Sequence, residues 1–380
     1  MRQNRPIVVH LSTVHRWDDS RVFRKMCLSL AREGYEVVLV AVGDGEREIG
    51  DVRVLPVPAP RNRWERVLLT IPRVAARAWR LRAAAYHLHD PELVPLIPLL
   101  RLRGATVIYD AHEVLPQQVL YKEYIPRRVM PAAVAAGRML CKVAGRTANH
   151  VIAASPEVVA DFRPARCTVV RNYPEDLPVT RDAPEYGRRE HRAVYAGTLT
   201  SARGIGQMVD AMGCAALPPD WRLLLVGPHS PADFVERLRQ RPGWALVDHH
   251  GEVSPPDARG MIAGCRIGLA VLQPVGQYAG VLPTKLFEYM SLGVPVVSSD
   301  YPNCRSVVES AGCGLLVDPT DPRAIAQAMA ELAADPGRAQ EMGERGRAAV
   351  RSRFSWHSEE ESLLAAYSAL LVPHRPQLVT

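Results

Sequence analysis

Side chains suited to acid–base and phosphate chemistry stand directly after the apolar runs of this sequence. In the first half, HLSTVHRWDDSR carries His15, Asp19 and Arg21, YHLHDPE carries His89, Asp90 and Glu92, and YDAHEV carries Asp110, His112 and Glu113. In the second half, YAGTLTSARG carries Gly197, Thr198 and Arg203, and GVLPTKLFEYM carries Val281, Leu282, Thr284, Lys285 and Glu288. Because ligands bind at the carboxyl ends of parallel strands, these segments are the candidate sites.

The second-half residues suit an organic diphosphate. A glycine turn that leads into a helix lets backbone N–H groups meet phosphate oxygens, and a flanking cation adds charge-assisted hydrogen bonds. Arg203 and Lys285 are such cations. Glu288 follows Lys285 by about one helical turn, where a carboxylate could accept both hydroxyls of a ribose. These residues predict a nucleotide diphosphate site.

Other ligand classes lack their usual signatures. Neither half opens on a strand followed by GxGxxG, which disfavours a nicotinamide or flavin site, and no Walker motif is present. The adjacent carboxylates Asp18 and Asp19 are more typical of a helix start than of a metal site. The seven cysteines show no zinc-ligand spacing, so we expect reduced, mostly buried thiols and no metal cofactor. No recognition-helix or RNA-binding pattern accompanies the basic charge, so no nucleic-acid partner is expected.

Alternating strands and helices must position these side chains. Short apolar runs alternate with amphipathic segments, which predicts an α/β fold of two doubly wound, Rossmann-like domains facing a cleft. Strands are predicted at 6–12, 36–42, 52–57, 84–90, 106–112, 150–155, 192–199, 222–228, 244–253, 267–273, 294–300 and 313–319. Helices are predicted, among others, over 20–34 and 355–372.

A Pro-rich, charged segment without periodicity, residues 171–191, is the predicted linker. The predicted domains are 1–172 and 173–353. Residues 354–380 are predicted to form a final helix and tail that could pack back on the first domain. Closure of the two domains about the linker would then gate a reaction.

The net charge of +7 is unevenly distributed. Residues 1–172 carry +11 and residues 173–380 carry −4. Much of the excess lies in residues 61–84, where arginines recur at near-helical spacing beside two tryptophans: Arg66, Arg73, Arg77, Arg80, Trp64 and Trp79. Such a segment could lie on an anionic membrane or meet an acidic acceptor, and a solvated Arg-rich face is the alternative. No run is long enough to span a membrane, and the N-terminus is unlike a signal peptide, so we expect a cytoplasmic protein that could contact the inner membrane face.

Nearly the whole chain resembles one known family. The segments YHLHDPELVPL, VIYDAHEVLPQQV, NYPE, YAGTLTSARGI, HGEVS, PTKLFEYMSLGVPVVSSD, GCGLLVDPTDP and RFSW follow one another in the order typical of it. The family is the retaining, nucleotide-sugar-dependent glycosyltransferases of the GT-B fold, specifically family 4 and its KLFEYM subgroup. The resemblance implies an acceptor-binding first domain and a nucleotide-sugar-binding second domain.

The resemblance also implies residue roles. Glu288 matches the second Glu of the Glu-x7-Glu motif, which binds ribose hydroxyls, and Arg203 matches the basic residue that holds the diphosphate. His112 resembles the active-site His beside the donor sugar. Lys285 and Thr284 belong to a variant of the motif beside the phosphates, and the same two segments add Gly197, Thr198, Val281 and Leu282 to the donor-binding set.

The sequence departs from the family pattern at three places. Gly280 stands where the first Glu of the motif would be, and Thr198 stands where many members have a second phosphate-binding Arg. The first loop reads TVHRWDDSR in place of paired glycines. Either Lys285 replaces the missing charge or the donor binds weakly, and the acceptor geometry of that loop cannot be transferred from the family.

The function implied is retaining transfer of a sugar from a nucleotide diphosphate sugar, UDP- or GDP-linked, without a metal. His15, Asp19, Arg21 and Asp90 are the candidate acceptor contacts. The acceptor could be a carbohydrate, a lipid-linked glycan in cell-envelope or exopolysaccharide synthesis, or a small molecule such as an antibiotic-type natural product. A nucleotide-sugar 2-epimerase and a non-catalytic nucleotide-sugar binder are the other hypotheses.

Overall fold

The computed structural model of the chain describes residues 5–120, 125–175, 184–214, 216–275 and 282–371. The chain divides into two compact units. Unit 1 comprises Met1–Asn172 and Trp356–Thr380, and unit 2 comprises Tyr173–Ser355. The chain thus passes from unit 1 to unit 2 where the sequence predicts a domain boundary, and it returns to unit 1 for its last helix. Part of the predicted linker, residues 176–183, lies outside the described residues.

Unit 1 is built on an eight-stranded sheet in the order β3-β4-β2-β1-β5-β6-β7-β8. Only β3 is antiparallel to its neighbour. The strands are β1 Ile7–Arg16, β2 Glu36–Val42, β3 Arg47–Ile49, β4 Val52–Val57, β5 Ala85–Leu88, β6 Thr106–Ala111, β7 His150–Ala153 and β8 Cys167–Val169. The six predicted strands of this half are present, and the short β3 and β8 were not predicted because three residues carry too little pattern.

The helices of unit 1 cover both faces of this sheet. They are α1 Leu28–Arg32, α2 Arg63–Glu65, α3 Ile71–Arg80, α4 Leu96–Leu102, α5 Leu115–Leu120, α6 Met130–Thr147 and α7 Pro156–Val159. Wider π-helical turns span Ser20–Cys27 and Arg66–Thr70, and 3₁₀ turns span Pro91–Leu93 and Pro164–Arg166. The helix predicted over 20–34 is therefore a π-helix followed by α1. Its cap is Asp19, whose carboxylate accepts from the backbone N–H groups of Arg21 and Val22.

Unit 2 repeats the design with a six-stranded parallel sheet in the order β11-β10-β9-β12-β13-β14. Its strands are β9 Glu190–Ala196, β10 Arg222–Val226, β11 Val247–His250, β12 Cys265–Ala270, β13 Val296–Ser299 and β14 Gly314–Val317. The run predicted as one strand over 244–253 is shorter because Pro242–Leu246 form a 3₁₀ helix.

The helices of unit 2 are α8 Ile205–Met212, α9 Phe234–Arg239, α10 Pro255–Ala263, α11 Thr284–Ser291, α12 Pro302–Ala311, α13 Pro322–Ala334 and α14 Pro336–Arg353. Further 3₁₀ turns span Tyr186–Arg188 and Ser201–Arg203. The last helix, α15 Trp356–Leu371, belongs to unit 1 and is the helix predicted over 355–372.

Alternate residues of each central strand pack into separate cores on the two sheet faces. In unit 1, Val9 and Tyr86 face one core, whereas Val8 and Ala85 face the other, together with Trp356 and other side chains of α15. Burial on both sides explains why the strands read as continuous apolar runs. All seven cysteines are free thiols and five are buried, as predicted. Among the described residues, no helix is long and apolar enough to cross a membrane.

Candidate active site

In each unit the strand order reverses at one point, between β1 and β5 in unit 1 and between β9 and β12 in unit 2. Loops leaving two such strands diverge and open a crevice at the carboxyl edge of the sheet. The candidate residues of the sequence lie at these two places.

The loop after β9 is held close to its neighbours by glycine. Gly204 has φ +74°, and a Cβ there would stand 2.2 Å from the Val271 carbonyl oxygen, in the segment after β12. The backbone N–H of Gln273 donates to the Ala202 oxygen at 2.9 Å in the same region. Glycine therefore allows the loops after β9 and β12 to approach each other at the switch point, which is the place where the strand order reverses. Helix α8 begins at the next residue, Ile205.

Arg203 and Lys285 converge on Gly197. Gly197 has φ +147°, and a Cβ on it would lie 3.2 Å from Lys285 Cε and 3.4 Å from an Arg203 guanidinium nitrogen. Arg203 also donates to the Tyr195 hydroxyl at 3.0 Å, which fixes its guanidinium beside the strand end. Two cations, a bare glycine backbone and the start of a helix thus occupy one small region, which is an arrangement suited to phosphate oxygens.

Lys285 and Glu288 form an ion pair across the first turn of α11. Lys285 Nζ lies 2.6 Å from Glu288 Oε2, and both side chains are partly exposed. The sequence predicts that one contacts a diphosphate and the other a ribose, and the geometry places both groups within reach of a single ligand.

The remaining donor-site predictions lie close by. Thr284 is exposed at the first position of α11, Leu282 is half-buried, and the Thr198 carbonyl accepts from the Tyr195 hydroxyl at 3.3 Å. Val281 and Gly280 lie outside the described residues, so the prediction for Val281 and the departure at Gly280 have no structural counterpart.

The cluster in unit 1 is organised by a buried carboxylate, Asp110, at the end of β6. Arg21 donates to both of its oxygens, at 3.2 and 2.8 Å, and to the Val170 carbonyl. His89 Nδ1 and His112 Nε2 each lie 3.0 Å from Asp110 Oδ2. Burial alone would raise the pKa of Asp110, but the Arg21 guanidinium, followed by His112, holds it well below its usual range. Asp110 is therefore a fixed negative charge beneath His112.

A chain of hydrogen bonds runs from Asp110 to the C-terminal helix. His89 Nε2 lies 2.9 Å from His10 Nδ1, His10 Nε2 lies 3.5 Å from the Tyr367 hydroxyl, and that hydroxyl lies 2.7 Å from His87 Nδ1. Burial lowers the pKa of His89 to about 3, and it also lowers the pKa values of His10 and His87. The three imidazoles are therefore neutral at pH 7.

Neutral rings give this chain a consistent direction. If His89 donates through Nδ1 to Asp110, then its Nε2 accepts from His10 Nδ1, whose Nε2 in turn accepts from the Tyr367 hydroxyl. Tyr367 can then accept from His87 Nδ1, which leaves His87 Nε2 as a buried lone pair with no hydrogen-bond partner. The tautomers of three histidines are thus set by the charge of Asp110.

Two partly exposed imidazoles lie above these buried groups. The rings of His15 and His112 stack with centroids 5.1 Å apart. His15 Nδ1 lies 3.1 Å from Asp19 Oδ2, and its Nε2 lies 3.8 Å from Asp90 Oδ1. Although burial alone would lower the pKa of His15, the carboxylates of Asp19 and Asp90 raise it. This pair is the part of the cluster that a substrate could touch.

The predicted acceptor residues therefore differ in accessibility. His15 and Asp19 are partly exposed, whereas Asp90 is buried and accepts from Ser12 Oγ and from the Thr13 backbone at 2.8 and 2.6 Å. Arg21 is 4% exposed and its guanidinium is engaged beneath the site, so any effect on an acceptor would pass through Asp110. β1 extends to Arg16 rather than ending at residue 12, so His15 stands on the strand end.

From the sequence, Asp110, His89 and Glu92 are polar residues at strand ends without a predicted role. Nothing in the sequence singles out His10, His87 and Tyr367, which continue the hydrogen-bond chain from His89. His10 and His87 lie inside predicted strands, where a single histidine gives no signal of function. No spacing in the sequence connects either residue to Tyr367.

Comparisons with known proteins follow the division of the chain. Residues 20–173 match a family model described as a glycosyl transferase 4-like domain, and residues 190–335 match one described as glycosyl transferases group 1. Together these models span most of both units. The chain thus carries both of the glycosyltransferase domains that these models describe.

Solved structures share the fold of the chain. A sucrose-phosphate synthase from Thermosynechococcus elongatus superposes with a TM-score of 0.76 at 18% identity, covering 97% of this chain and 99% of that one. HepE from Anabaena, solved in complex with UDP-glucose, gives a TM-score of 0.70 at 14% identity, covering 96% and 100%. The predicted fold class, two doubly wound Rossmann-like α/β domains, is confirmed.

A curated relative shares part of its length. D-inositol 3-phosphate glycosyltransferase of Xylanimonas cellulosilytica is 28% identical over an alignment of 247 positions, which covers 58% of this chain and 58% of that protein. The matched region thus spans little more than half of the relative.

Proposed function

We propose that this glycosyltransferase moves a sugar from a UDP- or GDP-sugar to an acceptor with retention of the anomeric configuration. The observation that carries the proposal is the convergence of Arg203 and Lys285 on the bare backbone of Gly197 at the switch point of unit 2. The structural similarity to HepE, which was solved with UDP-glucose, supports a nucleotide-sugar donor.

In this proposal the donor is held by its diphosphate and its ribose. Arg203 and Lys285 offset the negative charge that develops on the leaving diphosphate, and the Glu288 carboxylate accepts the ribose hydroxyls. Because protein cations supply this charge, we propose that no metal is needed, and transfer in the presence of EDTA should equal transfer without it. Loss of activity in EDTA would contradict this part, since His89, Asp110 and His112 also have the spacing of metal ligands.

The histidine and carboxylate cluster of unit 1 supplies the proposed acceptor-binding residues. Asp110 orients the His112 ring from beneath, and His112 in turn can form a hydrogen bond with a sugar oxygen. His15 and Asp19 are the proposed acceptor contacts on the exposed side, and Asp90 orients His15 from beneath.

Retention rests on the family resemblance and has a direct test. Proton NMR of the first product should show the anomeric coupling of the donor. A product of opposite configuration would overturn retention and would assign the His112–Asp110 pair as the general base that activates the acceptor.

We propose a lipid-linked, cell-envelope or exopolysaccharide acceptor; a soluble natural-product acceptor is the alternative. A panel of UDP-, GDP-, ADP- and dTDP-sugars, assayed for nucleoside diphosphate release with and without lipid-linked and soluble sugars, tests the function as a whole. Acceptor-dependent release is expected for one nucleotide. Conversion of the donor to its 2-epimer would instead support the epimerase hypothesis, and binding without turnover would support the non-catalytic binder.

A further inference from the structure

The helical segment over residues 63–80, called here the Arg/Trp helix, exposes an unusual apolar face. It comprises α2, the π-helix Arg66–Thr70 and α3. Trp64 is 77% exposed, Leu68 66% and Trp79 50%, and Val67 and Leu69 are also exposed. Five of the large hydrophobic side chains exposed on the described surface therefore lie on this one segment.

The opposite face of the Arg/Trp helix already fills the core of unit 1. Thr70, Val74 and Ala78, spaced four residues apart, are buried beneath it. Trp64 and Leu68 are spaced in the same way on the outer side. The helix is thus apolar on both faces, and packing within unit 1 accounts for only one of them.

The charge around the outer face is strongly basic. Residues 61–82 contain seven arginines and one acidic residue, Glu65. Arg73 and Arg80 are exposed, whereas Arg77 is half-buried and has a buried guanidinium nitrogen. An apolar stripe with tryptophans, bordered by arginines, is the composition of a helix that lies in the plane of an anionic membrane surface.

A second element continues this surface. The Arg103 guanidinium lies over the Trp79 ring, 4.2 Å from its centroid, and the adjacent Leu102 at the end of α4 is 84% exposed. The surface therefore extends beyond one helix to a neighbouring apolar side chain and a further cation.

The Arg/Trp helix is also connected to the candidate acceptor cluster. Arg66 Nε lies 3.1 Å from Glu92 Oε1, and Thr13 Oγ1 donates to the same oxygen at 3.1 Å. The Thr13 backbone N–H donates to Asp90, which lies beside His15. The Arg/Trp helix and His15 are thus joined by four successive contacts within unit 1.

From these observations we propose that the Arg/Trp helix and Leu102 form a membrane-docking surface that lies in the headgroup region of an anionic bilayer and holds the acceptor cluster at that surface. The proposal rests on the proposed function, because it assigns the acceptor to the membrane. Trp64 and Leu68 enter the interface, and Arg73 and Arg80 meet lipid phosphates.

The test is sedimentation of the full chain with vesicles. Wild-type protein should bind vesicles of phosphatidylcholine with roughly one-third phosphatidylglycerol, should bind phosphatidylcholine alone weakly, and should be released by salt. Arg73→Glu/Arg80→Glu and, separately, Trp64→Ala/Leu68→Ala should each weaken binding about tenfold or more, since each removes one of the two attractions.

Matched controls carry the same changes elsewhere. Arg237→Glu/Arg239→Glu reverses two exposed charges on unit 2, and Met139→Ala removes an exposed apolar side chain of α6. Both should bind vesicles like the wild type. All variants should keep the wild-type thermal shift with UDP or GDP, which separates a failure of docking from a failure of the proposed donor site.

Four outcomes would overturn the proposal. The first is no binding of the wild type to anionic vesicles at low salt, and the second is vesicle binding that the helix variants leave unchanged. The third is a concentration-dependent dimer, seen by sedimentation velocity, that Trp64→Ala/Leu68→Ala abolishes, since it would assign the face to a second copy of the chain. The fourth is equal affinity for vesicles and for soluble polyphosphate, since it would show that apolar contact with lipid does not contribute to binding.

Discussion

Lys285 and Glu288 neutralise each other at the start of α11, 2.6 Å apart and partly exposed. An ion pair with this exposure contributes about 0–1 kcal/mol, so a ligand can separate it at little cost. A diphosphate that meets Lys285 and a ribose that meets Glu288 would replace one pair by two charge-assisted contacts. The pair therefore keeps both groups ordered for a donor.

Loss of one phosphate-binding cation should slow transfer far more than it weakens the fold. Arg203→Ala and Lys285→Ala should each lower kcat/KM by about 10²–10³-fold, because each removes charge that stabilises the departing diphosphate. Glu288→Gln should act mainly through a higher KM for the donor. Arg239→Ala, an exposed arginine on α9, is the control. Steady-state release of nucleoside diphosphate measures all four, and an unchanged kcat/KM for Arg203→Ala would be inconsistent with the assigned role.

The buried histidines of unit 1 should make its stability depend on pH. The unfolded chain protonates histidine near pH 6.5, whereas in the folded chain burial lowers the pKa of His89 to about 3 and also lowers those of His10 and His87. The unfolded state thus binds more protons below pH 6.5. Each such histidine therefore lowers the free energy of unfolding by about 1.4 kcal/mol for each pH unit below 6.5, and this effect is absent above pH 6.5.

His87→Leu should reduce the slope of the unfolding free energy against pH by the contribution of one histidine. His357→Leu, at an exposed position of α15, should leave that slope unchanged. The measurement is urea unfolding of the unit 1 transition at pH 7, 6 and 5. Equal slopes for the wild type and His87→Leu would show that His87 is not held neutral.

At the scale of elements, the loop after β9 depends on two glycines with positive φ. A Cβ on Gly204 would clash with the Val271 carbonyl at 2.2 Å, and one on Gly197 would enter the space shared by Arg203 and Lys285. The strand, the 3₁₀ turn Ser201–Arg203 and α8 can therefore be linked this tightly only through glycine.

Gly204→Ala should displace the loops at the switch point and abolish donor binding. Gly251→Ala is the matched control, since a Cβ there meets no atom within 4 Å and its φ is not positive. Thermal shift in the presence of UDP or GDP compares the two variants. A Gly204→Ala variant that keeps the full wild-type shift would contradict the role given to this loop.

Strand positions could be predicted because both sheets are buried on two faces. Burial on both faces requires apolar residues at successive positions, so each central strand appears in the sequence as a continuous apolar run. The donor-site residues could be named from glycine turns, cations and the family pattern, because chemistry and spacing coincide within short segments. The network beneath His112 could not be predicted. Asp110 accepts hydrogen bonds from Arg21, which lies 89 positions earlier in the sequence. The Tyr367 hydroxyl lies beside His87 because α15 packs on unit 1. Such contacts depend on topology and leave no periodic signal.

At the scale of the molecule, chemistry and charge are divided between the units. The excess positive charge belongs to residues 1–172, which also contain the histidine cluster and the Arg/Trp helix. The glycine, arginine and lysine of the proposed donor site belong to unit 2. A nucleotide should therefore bind through unit 2 residues, and changes in unit 1 should leave nucleotide affinity intact while altering turnover.

Calorimetric titration of the full chain with UDP and with GDP tests this account most directly. One of the two nucleotides should bind with a single site per chain, Arg203→Ala and Lys285→Ala should weaken that binding about tenfold or more, and His112→Ala should leave it unchanged. A ligand held at 100 times its Kd should also stabilise the protein by about 2.7 kcal/mol. If neither nucleotide binds, or if Arg203→Ala binds as tightly as the wild type, the assignment of the donor site to Gly197, Arg203, Lys285 and Glu288 is wrong.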